Sequence, residues 1–149
     1  MRYILIIFSV FLFSLTVISC GDSDDDVTVS TNGLFVTVGN NGIILTSSDG
    51  TAWDNRISGT TYNPVGITYV NSTFVTVGDN GTILVSSNGT AWTSRTSGTI
   101  NNLSGVTYVN STFVTVGDNG TILTSTDGTS WTSRTSGTTN TLYGVTYSQ

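Results

Sequence analysis

The side chains that could carry chemistry in this chain are few and unevenly chosen. Its 149 residues hold nine acids, all Asp, four cations, all Arg, and one cysteine, with no Lys, Glu or His. Proton transfer near neutral pH draws mainly on His, paired carboxylates or Lys, and a nucleophile needs a base beside it. Cys20 has no such base in the inventory, so the chain is expected not to be an enzyme and to carry no cofactor. Asp49, Asn88 and Asp127 recur at intervals of 39 residues. Because Asn and Asp alternate at one place, the shared property is acceptance of backbone N–H bonds in a turn rather than charge. No carboxylate cluster accompanies them, and no metal site is expected. Arg56, Arg95 and Arg134 keep the same interval. They form either an anion-binding row or a set of charges guarding an outermost strand against edge pairing. The formal charge of −5 disfavours nucleic acid as a partner.

The elements that position these residues follow from the repeat. Phe35, Phe74 and Phe113 are 39 residues apart, as are Trp53, Trp92 and Trp131, with no insertion between copies. A period near 40 with dense turn residues marks stacked all-β units. In the middle copy, Gly66–Val70, Phe74–Gly78, Thr82–Ser86 and Ala91–Thr96 read as four short antiparallel strands. Asp79-Asn80-Gly81 is a strong hairpin signal, because Asn-Gly takes positive φ at little cost. FVTV and TILV carry apolar side chains on both faces, as a sheet covered on both sides requires. Four-stranded units of this size describe propeller blades that must stack to bury enough surface. The tryptophans are the expected anchors between blades.

Three segments, TSSDGTAW from Thr46 to Trp53, VSSNGTAW from Val85 to Trp92 and TSTDGTSW from Thr124 to Trp131, resemble Asp-box, or BNR, repeats. FVTVGDNGTIL and LSGVTY are similar to blades of exported BNR propellers and of photosystem II assembly factor-like proteins. The resemblance covers residues 27–147. It implies an all-β fold of three four-stranded propeller blades, in which Asp49, Trp53, Asn88, Trp92, Asp127 and Trp131 build a structural hairpin and catalyse nothing. A sialidase in the same family would need a Tyr/Glu pair, and the chain has no Glu.

The first 19 residues read as a targeting segment: Arg2 supplies a positive start and Ile4–Ser19 is an uncharged apolar run, shorter than the ~20 residues of a spanning helix. Val17-Ile18-Ser19-Cys20 resembles the lipobox of bacterial lipoprotein signal peptides, which implies cleavage before Cys20 and a lipid anchor on its thiol. An ordinary signal peptide or an uncleaved anchor is the alternative. Residues 20–26 add an acidic tether that is expected to be disordered. It reads as a solvated spacer, and it also resembles surface-export signals of some Bacteroidota lipoproteins. Residues 27–149 form the repeat domain. The implied location is the cell envelope, at the outer membrane or cell surface.

Residues 70–108 and 109–147 differ at seven positions. Three of the seven, Ile100/Thr139, Asn102/Thr141 and Ser104/Tyr143, lie in the loop entering the innermost strand. That loop makes Tyr62, Asn63, Asp79, Asn101, Asp118, Asn140 and Tyr143 candidate contacts for a glycan or an envelope protein; drift of an exposed loop explains the same pattern. The module is thus read as a lipid-anchored binding domain, with a scaffold for an envelope complex as the alternative. Rings usually close with ~4–8 blades, and three leave two faces open. Two chains joined head to tail would make a six-bladed ring, with Tyr143–Tyr147 as an extra innermost strand able to complete a neighbour's first blade, which in its own chain opens with the weaker match Val27–Ser30. A truncated copy of a longer propeller is the rival reading.

Overall fold

The computed structural model describes residues 33–148. They form three antiparallel sheets in chain order. The first holds β1 (Phe35–Val38), β2 (Ile44–Ser47) and β3 (Asp54–Arg56). The second is a four-stranded meander of β4 (Pro64–Val70), β5 (Thr73–Gly78), β6 (Ile83–Ser86) and β7 (Thr93–Arg95). The third repeats it with β8 (Leu103–Val109), β9 (Thr112–Gly117), β10 (Ile122–Ser125) and β11 (Thr132–Arg134). Sheets of this kind, stacked through their inner strands, are propeller blades, and the arc they make is open.

Local chemistry accounts for the strand boundaries. Each second strand turns into its third through a single 3-10 turn whose middle residue is Asn, and Asn80 and Gly81 both take the left-handed region at φ 52° and 65°. The register then places Val77 opposite Ile83 and Phe74 opposite Ser86. All four residues of β6 are buried, as the apolar pattern on both faces anticipates. The outermost strands β3, β7 and β11 are only three residues long, shorter than the six-residue expectation, because the Asp-box turn before them consumes the start of the segment. Inner strands β4 and β8 pack against each other, and Val75, Val77, Ile83, Val85, Leu103, Phe113 and Leu123 make one cluster across the second and third blades.

One expectation needs correction. Tyr143–Tyr147 is not a strand: the segment has no partner to hydrogen-bond with among the described residues, although it occupies the flank of β8 where the next innermost strand would lie. The first blade has three strands among the described residues; the segment expected to open it, Val27–Ser30, lies outside them, as do the targeting segment and Cys20. A further point is a refinement. Trp92 and Trp131 tilt onto Phe74 and Phe113 of their own blades, with ring centroids 6.2 and 6.3 Å apart, and donate their indole N–H to Gly89 and Gly128 carbonyls. Trp131 also packs against the shared cluster. The Asp-box glycine also lies against the preceding blade. A Cβ on Gly89 would lie 2.5 Å from Leu34 and one on Gly128 3.3 Å from Val75.

Candidate functional site

The Asp-box turns are closed hydrogen-bond circuits. Asp49 Oδ1 accepts the backbone N–H of Thr51 and Ala52 at 2.8 and 3.1 Å and the Ser47 hydroxyl at 2.9 Å, while Oδ2 accepts the Thr51 hydroxyl. Asp127 repeats this with Thr129, Ser130 and Ser125. Asn88 keeps the Oδ1 bonds to Thr90 and Ala91 N–H. These donors hold the Asp49 and Asp127 carboxyls well below the usual carboxylate range, led by the backbone N–H of Thr51 and of Ser130 respectively. Every acceptor oxygen already has a donor inside the turn, so the circuit shapes the hairpin. Trp53, in the first blade, is 42 % exposed, whereas Trp92 and Trp131 are half-buried.

The loop face is where the other candidates meet. Asn63 sits between two blades: its Nδ2 donates to Asp79 Oδ2 at 2.7 Å, its Oδ1 accepts the Asn41 N–H at 2.8 Å, and its carbonyl accepts the Asp79 N–H at 3.0 Å. Asn102 makes the equivalent bridge, accepting Asn80 N–H on its side chain and Asp118 N–H on its carbonyl, both at 2.9 Å. Asn63 and Asp79 are therefore brought together within the second blade and Asp118 meets Asn102 within the third, while the Oδ1 atoms of Asn63 and Asn102 stitch each blade to the turn of the one before it. Asn101 belongs to the same seam, donating to Thr121 Oγ1 and accepting from Asn119 Nδ2. Asn140 contributes its carbonyl to the Gly120 N–H, leaving its side chain exposed. Tyr62 and Tyr143 stand 49 and 81 % exposed, in no shared cluster.

Between the stitches lie three in-phase grooves of about 690, 730 and 930 Å³. Each is walled by an Asn-Gly turn, a Ser-Gly-Thr loop and the outermost strand with its arginine: Arg56, Arg95 or Arg134. The loop is stiffened locally, because Ser58, Ser97 and Ser136 each donate to the carbonyl two residues on. Arg56 and Arg134 donate Nε–H to Thr46 and Thr124 hydroxyls, and Arg56 pairs with Asp54 at 3.0 Å. Arg56 and Arg134 are therefore tied to their own sheets while lining a groove, whereas Arg95 lines its groove with its Nε buried and without a partner among the described residues. Asn41, Asn102 and Asn119 were not singled out from sequence; the signal was available, since Asn102 is Asn63 displaced by one period.

Among the described residues no three His, Cys, Asp or Glu side chains come together to hold a metal ion, and no helix is long and apolar enough to cross a membrane. What the geometry defines is an Asp-box propeller arc with a grooved loop face. A solved structure described as "YCF48 bound to D1 peptide" has this fold: it matches with a TM-score of 0.57 at 17 % identity over 68 % of this chain. The match spans 36 % of that structure, so the chain corresponds to about a third of it. No family model and no curated protein matches the chain.

Proposed function

We propose that this domain is a non-catalytic protein-binding scaffold of the cell envelope, holding an extended segment of a partner across the grooves of its loop face. The observation that carries this reading is the repetition of one groove, with hydroxyls, amides, backbone groups and an arginine edge at the same places in each blade. Such a surface offers hydrogen bonds at intervals and a bidentate site for a carboxylate, which suits a peptide. The walls are hydrogen-bonded before any ligand arrives, which lowers the ordering cost of binding. Likeness in fold to a propeller solved with a peptide supports the same reading over a glycan site. Cys20 is the proposed lipid anchor, with residues 1–19 removed and 20–26 as tether, and two chains associate head to tail. The test is affinity capture from solubilised envelope with the full chain, set against a Tyr62→Ala/Asn140→Ala variant. One partner complex captured by the first and lost with the second is expected. Saturable binding of simple sugars without any captured protein would overturn the reading. Incorporation of labelled palmitate, abolished by Cys20→Ser, checks the anchor.

A further inference from the structure

We propose that residues 142–148 of one chain serve as the innermost strand of the first blade in a second copy, in the register that puts Tyr147 on Phe35. This rests on the reading of two chains joined head to tail and deepens it by naming the surfaces. In the complete blades, the inner strand does three things for the second strand. Its tyrosine covers the phenylalanine, Tyr69 on Phe74 and Tyr108 on Phe113, with centroids 4.3 and 4.6 Å apart. Its glycine carbonyl accepts a buried hydroxyl, Thr76 to Gly66 and Thr115 to Gly105 at 2.8 and 2.9 Å. Its first loop residue accepts the turn N–H, Asp79 to Asn63 and Asp118 to Asn102. On β1 the same receptors are open: Phe35 is 55 % exposed against 8 and 4 % for Phe74 and Phe113, and Thr37 is exposed where Thr76 and Thr115 are wholly buried.

Residues 142–148 carry the matching groups already in place. Gly66, Gly105 and Gly144 are one period apart, and the Cβ positions of Gly66 and Gly105 lie 3.3 Å from the next glycine's Cα. Leu142 N–H donates to the Gly117 carbonyl at 3.0 Å, which holds the segment against the third blade. Its tyrosine, Tyr147, is 47 % exposed, and the Cβ position of Gly144 meets nothing. Each group β1 exposes is thus answered by one that 142–148 exposes, in the register of the two complete blades. The chain's own 25–31 segment competes on paper and matches less well. Val27 falls where Gly66 and Gly105 fall, and in the ladder a Cβ at that place meets the next glycine's Cα at 3.3 Å, a tight fit that two γ carbons make tighter. Ser30 falls where the tyrosine is needed and brings no ring. With Gly144 supplied by a second copy, the glycine ladder continues unbroken from one chain into the next. Strand addition of this kind takes its affinity from main-chain hydrogen bonds and its register from alternate side chains.

The test is a disulfide made across the proposed register, using the full chain with Cys20→Ser in mild detergent, so that only introduced cysteines are present. Phe35→Cys with Tyr147→Cys places two Cβ atoms at cross-strand distance, within reach of a disulfide. Interchain linkage into a closed species is expected, and Phe35→Cys with Thr146→Cys should link far less, since neighbouring strand residues point to opposite faces. Tyr147→Ala is expected to raise the dissociation constant at least about tenfold by native mass spectrometry, because it removes a buried aromatic pair. A folded monomer at all concentrations, an intrachain disulfide, or equal linkage by the Thr146 control would each overturn the proposal. Capture of an envelope partner is read separately: a linked ring that captures nothing refutes the scaffold and leaves the strand exchange standing.

Discussion

Replacing Val85 by threonine should stabilise the second blade, because one buried donor there has lost its acceptor. In the first and third blades the arginine of the outermost strand donates Nε–H to a threonine on the neighbouring strand, at 2.8 Å in Arg56–Thr46 and 2.9 Å in Arg134–Thr124. Arg95 occupies the same place in the second blade, but Val85 stands one period from both threonines, and Arg95 Nε is buried with no partner among the described residues. Exchanging a buried methyl for a hydroxyl gives up about 1 kcal/mol of hydrophobic burial, and a hydrogen bond to a charged donor returns about 1.5–3 kcal/mol. The expected net gain is about 0.5–2 kcal/mol, read as a higher urea midpoint at unchanged slope and fixed protein concentration. The reasoning makes a sharper demand on a double variant. With Arg95→Met, the new hydroxyl has nothing to bond, and Val85→Thr should instead destabilise by about 1–3 kcal/mol. Equal effects in the two backgrounds, or destabilisation while Arg95 is present, would refute the account.

The Asp-box carboxylates make stability depend on pH with a defined sign. Asp49 and Asp127 have folded-state pKa values below their unfolded ones, so their contribution is fully present above the unfolded value near ~4 and is lost as pH falls toward the folded value. Asp49→Asn/Asp127→Asn should give a shallower acid limb in urea denaturation below about pH 4, since the Asn88 copy keeps the Oδ1 bonds without a charge; an unchanged limb would tell against the turn circuit. The Asp-box glycines should rank by what lies in front of them. All three hold left-handed backbone, which disfavours a side chain by ~1–2 kcal/mol, but a Cβ on Gly50 meets only Phe35 at 3.8 Å, whereas one on Gly89 or Gly128 crowds Val36 or Val75 of the preceding blade at 3.3 Å, the contact of Gly89 with the exposed Leu34 being relieved by rotation of that side chain. Thermal denaturation should show a smaller loss for Gly50→Ala than for Gly89→Ala or Gly128→Ala.

Much of the fold was legible because period, turn chemistry and apolar pattern agree at each copy. Strand order, the hairpin at Asp79-Asn80-Gly81 and burial on both faces of β5 and β6 all follow from residue types. Less legible was which groups hold one blade to the next. Tryptophan is the largest apolar side chain in the repeat and was given that role, and Trp131 does pack on the cluster shared with the second blade; Gly89 and Gly128 also lie against the preceding blade, where absence of a side chain matters. Among the candidate contacts, Asn63 and Asp79 look like surface polar residues in sequence. Their bond continues the pairing of β4 with β5 past Pro64 and Gly78, and only the stacking of blades shows that Asn63 also accepts from Asn41 of the blade before. The extra strand at Tyr143–Tyr147 illustrates a different limit: its sequence is that of β8 but for Tyr143 in place of Ser104, yet a strand is a property of two segments, and the second is missing from the described residues.

The stitches also bear on how the blades share stability. Asn63 bonds the turn of the first blade and that of the second at once, and Asn102 does the same for the second and third, so neither turn is fully satisfied until its neighbour is in place. Repeat proteins whose interfaces carry this much of the hydrogen bonding fold as coupled units rather than as independent ones. At the next junction the period places Thr141 where the asparagines stand, and Asn40 where Asp79 and Asp118 stand. Thr141 reaches Asp118 with its hydroxyl at 3.1 Å, donating to a carboxylate where Asn63 and Asn102 accept the N–H of the preceding turn. A hydroxyl has no amide group to donate forward as Asn63 does to Asp79, and Asn40 offers a neutral acceptor in place of a charged one, which weakens a hydrogen bond by about half. A junction between copies built at this point is therefore weaker on the loop face than the junction at Asn63. Its strength has to come from the strand ladder beneath, through Phe35, Thr37, Gly144 and Tyr147.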